Sequence, residues 1–291
     1  MKELGNLSCK HVPSLRNVVG LKAWKVWFDS DMRFFLLGLA YVLLIRQASG
    51  SHSAFTVLML TISIGLTFAY GTLINDFCDM PYDRLQRKER TIYYLPKSLI
   101  IMIILTLLLT SFVINFIFIG RIFYIILHSM WYITAILYSS SPFRLKSRHI
   151  HGVWFDALIE KTYPFLLILL FFEHFDYKLL FLPALFFAAQ VAIVISHQLE
   201  DYEGDLMTNN HTLVVRLGPG KALQILNSFI YPLSAFLILI FAIMASIEIS
   251  YFAILLIVLI IGYFLTNKLI ETGRLVPVSY THLTLPTNRE V

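Results

Sequence analysis

The chain has 291 residues, of which 58% are hydrophobic and 14% are charged, whereas a soluble domain carries about 25% charged residues. This composition excludes a fold around one aqueous core, so lipid must solvate much of the chain. The net charge of +5 does not indicate nucleic acid as a partner, because the basic residues cluster in loops between apolar stretches. Two distant cysteines, Cys9 and Cys78, exclude a disulfide framework and a cysteine zinc site.

Long apolar stretches predict the secondary structure, because a transmembrane helix needs about 20 mostly apolar residues. Short turns between several of these stretches predict antiparallel helical hairpins. We therefore predict an all-α integral membrane protein, a multi-helix transmembrane bundle within one domain at residues 1–277. The eight predicted spans are 32–48, 53–75, 97–119, 121–139, 152–173, 178–199, 222–246 and 248–267.

The positions of lysine and arginine predict the orientation of the bundle. Six basic residues precede the first span, and further basic residues follow the second, fourth and sixth spans. Each loop on the opposite side of the membrane holds one basic residue or none. Because basic loops stay in the cytoplasm, we predict that the N-terminus and the large loops are cytoplasmic. The expected location is a bacterial or archaeal cytoplasmic membrane.

The last residues differ in character from the rest of the chain. Residues Val278–Val291 follow Pro277 and resemble the translated read-through of a transposase-type sequencing adapter. We interpret them as a non-native tail that packs against nothing and is not part of the fold. The alternative is a native polar tail.

The end of the second span carries an acidic motif. Asp76, Asp79 and Asp83 follow Asn75 at spacings that place the three carboxylates on one face of a helix. Pro81 interrupts the motif, and an interior proline kinks a helix. We therefore expect Asp83 to point in a different direction from the other two acids.

A second acidic motif ends the sixth span, on the same side of the membrane. Asp201 and Asp205 lie one helical turn apart, and like charges at this spacing repel. Acids at membrane depth cost about 2.5–3.5 kcal/mol each, and a divalent cation offsets both penalties. Mg²⁺ uses one or two carboxylates together with phosphates and waters. Paired acidic motifs therefore predict Mg²⁺ ions that hold a diphosphate, and the alternative is solvated loop acids paired with nearby arginines.

These motifs resemble those of the UbiA-type intramembrane prenyltransferase family. The segments Tyr138–Lys146 and Thr212–Gly218 are similar to family segments after the fourth helix and after the second motif, and the resemblance covers about residues 15–270. The resemblance implies nine transmembrane helices and Mg²⁺-dependent transfer of a prenyl group from a polyprenyl diphosphate to an apolar acceptor. Family frequency favours an aromatic acceptor, as in quinone and lipid-precursor biosynthesis.

The resemblance and the acidic spacing together define a candidate site. The candidates for Mg²⁺ binding and catalysis are Asp76, Asp79, Asp83, Asp201 and Asp205, and those for diphosphate binding are Asn75, Arg87, Arg90 and Lys146. Asp156 interrupts the fifth span and is a candidate for acceptor binding. The rival function is a small-solute or cation transporter, which predicts acids near mid-membrane and broken helices.

Overall fold

The computed structural model describes residues 32–45, 54–85, 91–173 and 177–248. Arg87, Arg90, the predicted eighth span and the tail from Val278 lie outside the described residues. The chain divides into two units, Met1–Leu237 and Ile238–Val291. Every candidate site residue that is described lies in the first unit. The single domain expected at residues 1–277 stays a prediction.

Helices make up almost all of the described part of the chain. They are α1 (Arg33–Ile45), α2 (Ala54–Leu85), α3 (Lys97–Ile114), α4 (Ile122–Ser139), α5 (Ile150–Ala157), α6 (Tyr163–Phe172), α7 (Tyr177–Glu200), α8 (Tyr202–Met207), α9 (Leu213–Leu217), α10 (Pro219–Ile225) and α11 (Tyr231–Glu248). Turns of π-helix extend α3, join α5 to α6 and join α10 to α11 at Asn115–Ile119, Leu158–Thr162 and Leu226–Ile230.

Within the described ranges, five helical segments are long and apolar enough to cross a membrane. They are Ala54–Leu85, Lys97–Ile119, Ile122–Ser139, Leu179–Glu200 and Pro219–Met244. They match the predicted second, third, fourth, sixth and seventh spans. The predicted first span contains the shorter apolar helix Phe34–Leu43. The predicted fifth span contains α6 and overlaps α5, which begins two residues before it. The all-helical membrane fold is confirmed, and the number of spans stays a prediction.

Two groups of helices pack around separate apolar clusters. Tyr70 and Ile74 of α2 pack with Ile100 of α3 and Tyr132 of α4 in the first cluster. The second cluster joins α5, α7, α9 and α10, and its buried members are Val153, Ala192, Val194, Ile195, Val214, Ala222 and Leu226. Large apolar side chains on the outer face of α3 remain exposed in the protein alone. Lipid is therefore the solvent that this face requires.

A buried polar network links α2, α3 and α4. Asn115 Nδ2 donates to His128 Nδ1 at 2.8 Å, and Asn115 Oδ1 accepts from Ser63 Oγ at 2.5 Å. The other nitrogen of His128 lies 2.7 Å from Thr67 Oγ1. These bonds satisfy polar groups that lipid cannot solvate and connect neighbouring helices.

Candidate active site

Four of the five predicted acidic residues line one open cavity of about 310 Å³. Asp79 and Asp83 belong to α2, whereas Asp201 follows α7 and Asp205 lies in α8. Two helices far apart in sequence therefore bring carboxylates to a shared space. The fifth acid, Asp76, is only 8% exposed and is buried beside the cavity lining rather than within it.

The first motif lies entirely within α2. The helix continues to Leu85 with Pro81 inside it, and Asp79 and Asp83 line the same cavity. The proline therefore does not remove Asp83 from the cavity that Asp79 lines, and the expected difference in direction between the acids stays a prediction. Pro81 is exposed and only the last turn of α2 lies beyond it, so its lost hydrogen bond affects little of the helix.

Two cations neutralise Asp79. Lys146 Nζ lies 2.5 Å and Arg144 Nη2 lies 3.1 Å from the same oxygen, Asp79 Oδ1. Lys146 also donates to Asn75 Oδ1 at 2.7 Å, so it joins two residues of the first motif. Burial lowers the pKa of the Lys146 ammonium, Asp79 opposes this effect, and Arg144 adds to it.

The loop after α4 holds these cations in place through its close packing on α5. A Cβ atom on Gly152 would lie 2.6 Å from the Lys146 carbonyl oxygen, so only glycine permits this approach without a shift. Arg144 adopts a left-handed backbone with φ of 37°. Its guanidinium carbon lies 3.7 Å from the ring centre of Tyr82, a cation–π contact that orients the group towards α2.

The second motif begins where α7 ends. Asp201 follows Glu200, and the Asp205 amide donates to the Asp201 carbonyl at 2.9 Å, so the predicted one-turn spacing is present. Asp201 is exposed, whereas Asp205 is buried. Asp205 accepts hydrogen bonds from Asn210 Nδ2 at 2.8 Å and from Thr212 Oγ1 at 3.1 Å.

A chain of hydrogen bonds connects the two motifs. Arg144 contacts Asp79 and donates from Nε to Ser147 Oγ at 2.9 Å. Ser147 Oγ donates to Asn210 Oδ1 at 2.5 Å, and Asn210 donates to Asp205. The loop after α4 therefore fixes the position of one motif relative to the other.

The basic residues near the first motif divide into two groups. Arg144 and Lys146 line the cavity, whereas Arg84 is exposed and contacts Met80 Sδ at 3.7 Å. Arg87 and Arg90 lie outside the described residues, so their predicted role is untested. Asp83 accepts a hydrogen bond from Tyr93, a partner that sequence spacing does not indicate.

A fifth acidic side chain, Asp156 of α5, also lines the cavity. Tyr138 donates to its Oδ2 at 2.7 Å, and Gln190 Nε2 donates to its Oδ1 at 2.9 Å. The charge within an apolar span is the sequence signal for Asp156. Gln190 carries no such signal and emerges only from the packing of α7 on α5.

The oxygen-rich lining determines which metals fit. Carboxylate and amide oxygens suit Mg²⁺, whereas a structural zinc site needs clustered cysteine or histidine. In the described part of the chain, no three His, Cys, Asp or Glu side chains together form a metal-binding group. The lining therefore fits an ion that takes few protein ligands and completes its shell with phosphate and water.

Comparison with known proteins decides the family. The UbiA prenyltransferase family matches residues 35–276. The chain belongs to this family. No curated protein sequence matches it significantly. The family assignment confirms the resemblance inferred from the motifs and shows that the chain is a prenyltransferase, which rules out the transporter alternative.

Solved structures of a UbiA homolog from Archaeoglobus fulgidus share the fold. The form bound to DMAPP and Mg²⁺ has a TM-score of 0.61 at 16% identity and covers 84% of this chain and 85% of that one. The form bound to GPP and Mg²⁺ has a TM-score of 0.62 at 16% identity, with coverages of 84% and 86%. The Cd²⁺-bound form has a TM-score of 0.60 at 19% identity, with coverages of 89% and 88%.

Proposed function

We propose that this UbiA-family chain holds a polyprenyl diphosphate and Mg²⁺ between its two acidic motifs and prenylates an apolar acceptor in the bilayer. The observation that carries the proposal is the shared cavity, which Asp79, Asp83, Asp201 and Asp205 all line. The A. fulgidus structures bound to DMAPP or GPP with Mg²⁺ support the same class of substrate. Asp76, the remaining acid of the first motif, is also a proposed Mg²⁺ ligand, and its side chain lies outside the cavity lining.

In the proposed reaction, the C1–O bond of the prenyl diphosphate breaks and its electron pair leaves with the diphosphate. The acceptor forms a bond to C1 and loses a proton. Mg²⁺, when bound, stabilises the negative charge of the leaving diphosphate. Arg144 offers bidentate hydrogen bonds to phosphate oxygens, and Lys146 offers a compact positive charge. When they engage the diphosphate, Asp79 becomes available to the metal.

An aromatic acceptor, as in quinone biosynthesis, and a cytoplasmic active site are finer parts of this proposal. The frequency of aromatic acceptors in the family supports the first. The basic loop that carries Arg144, Lys146 and Arg148 supports the second, because such loops stay in the cytoplasm.

The test is prenyl transfer in membranes that contain the full chain, labelled geranylgeranyl diphosphate, a panel of acceptors and titrated Mg²⁺. Transfer should rise with Mg²⁺ and stop in excess chelator. Asp79→Asn and Asp201→Asn should each lower the rate by about 10²–10³ or more, because each weakens the charge stabilisation of the leaving group. Asp201→Asn should remain folded, because Asp201 is exposed. Asp79→Asn removes the carboxylate that pairs with Lys146 and Arg144, so the apparent Tm in detergent must show that this variant is folded before its rate is compared.

Glu203→Gln is the matched control. Glu203 is an exposed carboxylate two residues beyond Asp201 and outside the cavity lining, so its loss changes the net charge equally and should leave the rate unchanged. Full transfer in excess chelator, or wild-type rates in both aspartate variants, would contradict the proposed mechanism.

A further inference from the structure

The cavity contains an acidic group that belongs to neither motif. Asp156 receives a hydrogen bond on each carboxylate oxygen, from Tyr138 at 2.7 Å and from Gln190 at 2.9 Å. These donors come from α4 and α7, so three helices fix the direction of this carboxylate. A carboxylate held from two sides is a preorganised hydrogen-bond acceptor, because its oxygens keep a defined direction before a ligand binds.

Asp156 lies away from the second acidic motif, deeper in the apolar span. Gln190, Val194 and His197 share one face of α7 at helical spacing. Asp201 follows His197 by about one turn, and Val194, His197 and Asp201 line the cavity. Gln190 precedes Asp201 by about three turns, near the middle of the apolar segment Leu179–Glu200. Asp156, bonded to Gln190, is therefore at the inner end of the cavity.

The surroundings of Asp156 favour one kind of ligand. The amide nitrogen of Gln190 must face the carboxylate, so its Oε1 points elsewhere, buried and without a hydrogen-bond partner among the described residues. The two cations of the cavity lining both contact Asp79 rather than Asp156. A second carboxylate beside Asp156 would be repelled, whereas a hydroxyl group would donate a charge-assisted hydrogen bond.

We propose that Asp156 is the acceptor subsite and binds the hydroxyl group of an uncharged acceptor, with Tyr138 and Gln190 positioning its carboxylate. This inference rests on the proposed prenyl transfer and narrows its second substrate. The acceptor class is a neutral phenol or alcohol. Acceptors that carry a carboxylate are excluded from the inner end of the cavity.

Equilibrium binding to the purified full chain tests the subsite without requiring turnover. The protein is loaded with Mg²⁺ and geranylgeranyl S-thiolodiphosphate, an unreactive analogue, and then titrated with three probes. Hydroquinone has two neutral hydroxyl groups, 4-hydroxybenzoate has a carboxylate in place of one of them, and 1,4-dimethoxybenzene has no hydroxyl donor. The wild-type protein should bind hydroquinone more tightly than either of the other two.

Asp156→Asn should weaken hydroquinone binding by about tenfold, the loss expected for one charge-assisted hydrogen bond. The same substitution should reduce the preference of the protein for hydroquinone over 4-hydroxybenzoate. Gln190→Leu should weaken hydroquinone binding in the same direction, because the carboxylate loses one of its two supports. Both variants should bind the thiolodiphosphate with unchanged affinity, which also reports that they are folded. Glu173→Gln is the matched control, since this carboxylate, 67% exposed, lies beyond α6 against Arg121.

The outcomes separate the subsite from the proposed function. Unchanged selectivity in both Asp156→Asn and Gln190→Leu, with intact thiolodiphosphate binding, overturns the subsite and leaves the proposed function standing. Wild-type protein that binds the thiolodiphosphate but prefers 4-hydroxybenzoate, or binds no hydroquinone, overturns the subsite as well. Wild-type protein that fails to bind the thiolodiphosphate in Mg²⁺ overturns the proposed function and the subsite together.

Discussion

Lys146 shows how one side chain can serve two states of the site. Its ammonium lies 2.5 Å from Asp79 Oδ1 and 2.7 Å from Asn75 Oδ1, so it offsets a carboxylate that repels the other acids of the cavity. The same ammonium lies at the cavity wall, where a diphosphate would draw it away from Asp79. A lysine suits this exchange because it is a compact charge on a flexible stem.

We therefore expect Lys146→Met to weaken binding of geranylgeranyl S-thiolodiphosphate by about tenfold or more, because one charge-assisted hydrogen bond is lost. Lys146→Arg should retain part of the affinity, since it keeps the charge. Lys221→Met removes an exposed lysine at the start of α10 and is the matched control. Equal affinity of Lys146→Met and the wild-type protein would argue against diphosphate binding by this lysine.

The residues of the cavity lining were predictable where the sequence carries a signal of spacing, of family resemblance or of charge within an apolar span. Asp79, Asp83, Asp201 and Asp205 follow from helical periodicity, because acids one or two turns apart share a face. The choice between Arg84 and Arg144 does not follow, since both are basic residues near a span end. It depends on backbone direction, in particular on the left-handed conformation of Arg144, which a pattern of charges does not encode.

At the scale of the helices, the donor and acceptor roles of Asn115 are defined in the polar network of α2, α3 and α4. Asn115 must donate to His128 through its amide nitrogen while its oxygen accepts from Ser63. Asn115 is 1% exposed and begins the π-helical turn that extends α3. The extra residue of a π-turn shifts the helix face, and here it accompanies an amide that reaches both α2 and α4.

Asn115→Leu should therefore lower stability. Ser63 and His128 would each lose a partner within the bundle, and a buried polar group left unsatisfied costs about 1–3 kcal/mol. The membrane setting places the result towards the lower end of that range. The measurement is the apparent Tm of the purified protein in detergent, which should fall.

Thr106→Val is the control for this substitution. Thr106 is an exposed residue of α3 whose hydroxyl bonds only to the Met102 carbonyl of its own helix, at 2.8 Å. Its replacement should leave the Tm unchanged. A Tm of Asn115→Leu equal to that of the wild-type protein would mean that the network does not contribute to stability.

At the scale of the whole molecule, apolar stretches predicted the membrane fold because length and hydropathy are local properties of the chain. They did not predict that α2 ends only at Leu85, since charged residues interrupt the apolar stretch; the helical spacing of its three aspartates indicated that extension. Nor did they predict the π-helical turn at Leu158–Thr162, which contains Glu160 and Lys161. These features depend on tertiary packing, which supplies partners for polar groups within an apolar region.

The orientation of the bundle in the membrane is the last prediction. Met207 of α8, 73% exposed, follows α7, and Glu173 precedes it, so one membrane span separates the two positions. Because the basic loops predict a cytoplasmic active site, Met207 should face the cytoplasm and Glu173 the exterior. In a background that carries Cys9→Ser and Cys78→Ser, an impermeant maleimide applied to intact cells should label Glu173→Cys and not Met207→Cys.

Permeabilised cells provide the control, since both single-cysteine variants should then be labelled. Labelling of Met207→Cys alone in intact cells would show that the bundle has the opposite orientation, with the proposed diphosphate-binding cavity outside the cell. A prenyl diphosphate is a charged product of cytoplasmic synthesis that does not cross a bilayer unaided. An inverted orientation would therefore contradict the proposed reaction as well as the predicted orientation. It would also place all of the basic loops outside the cell, contrary to the usual charge rule.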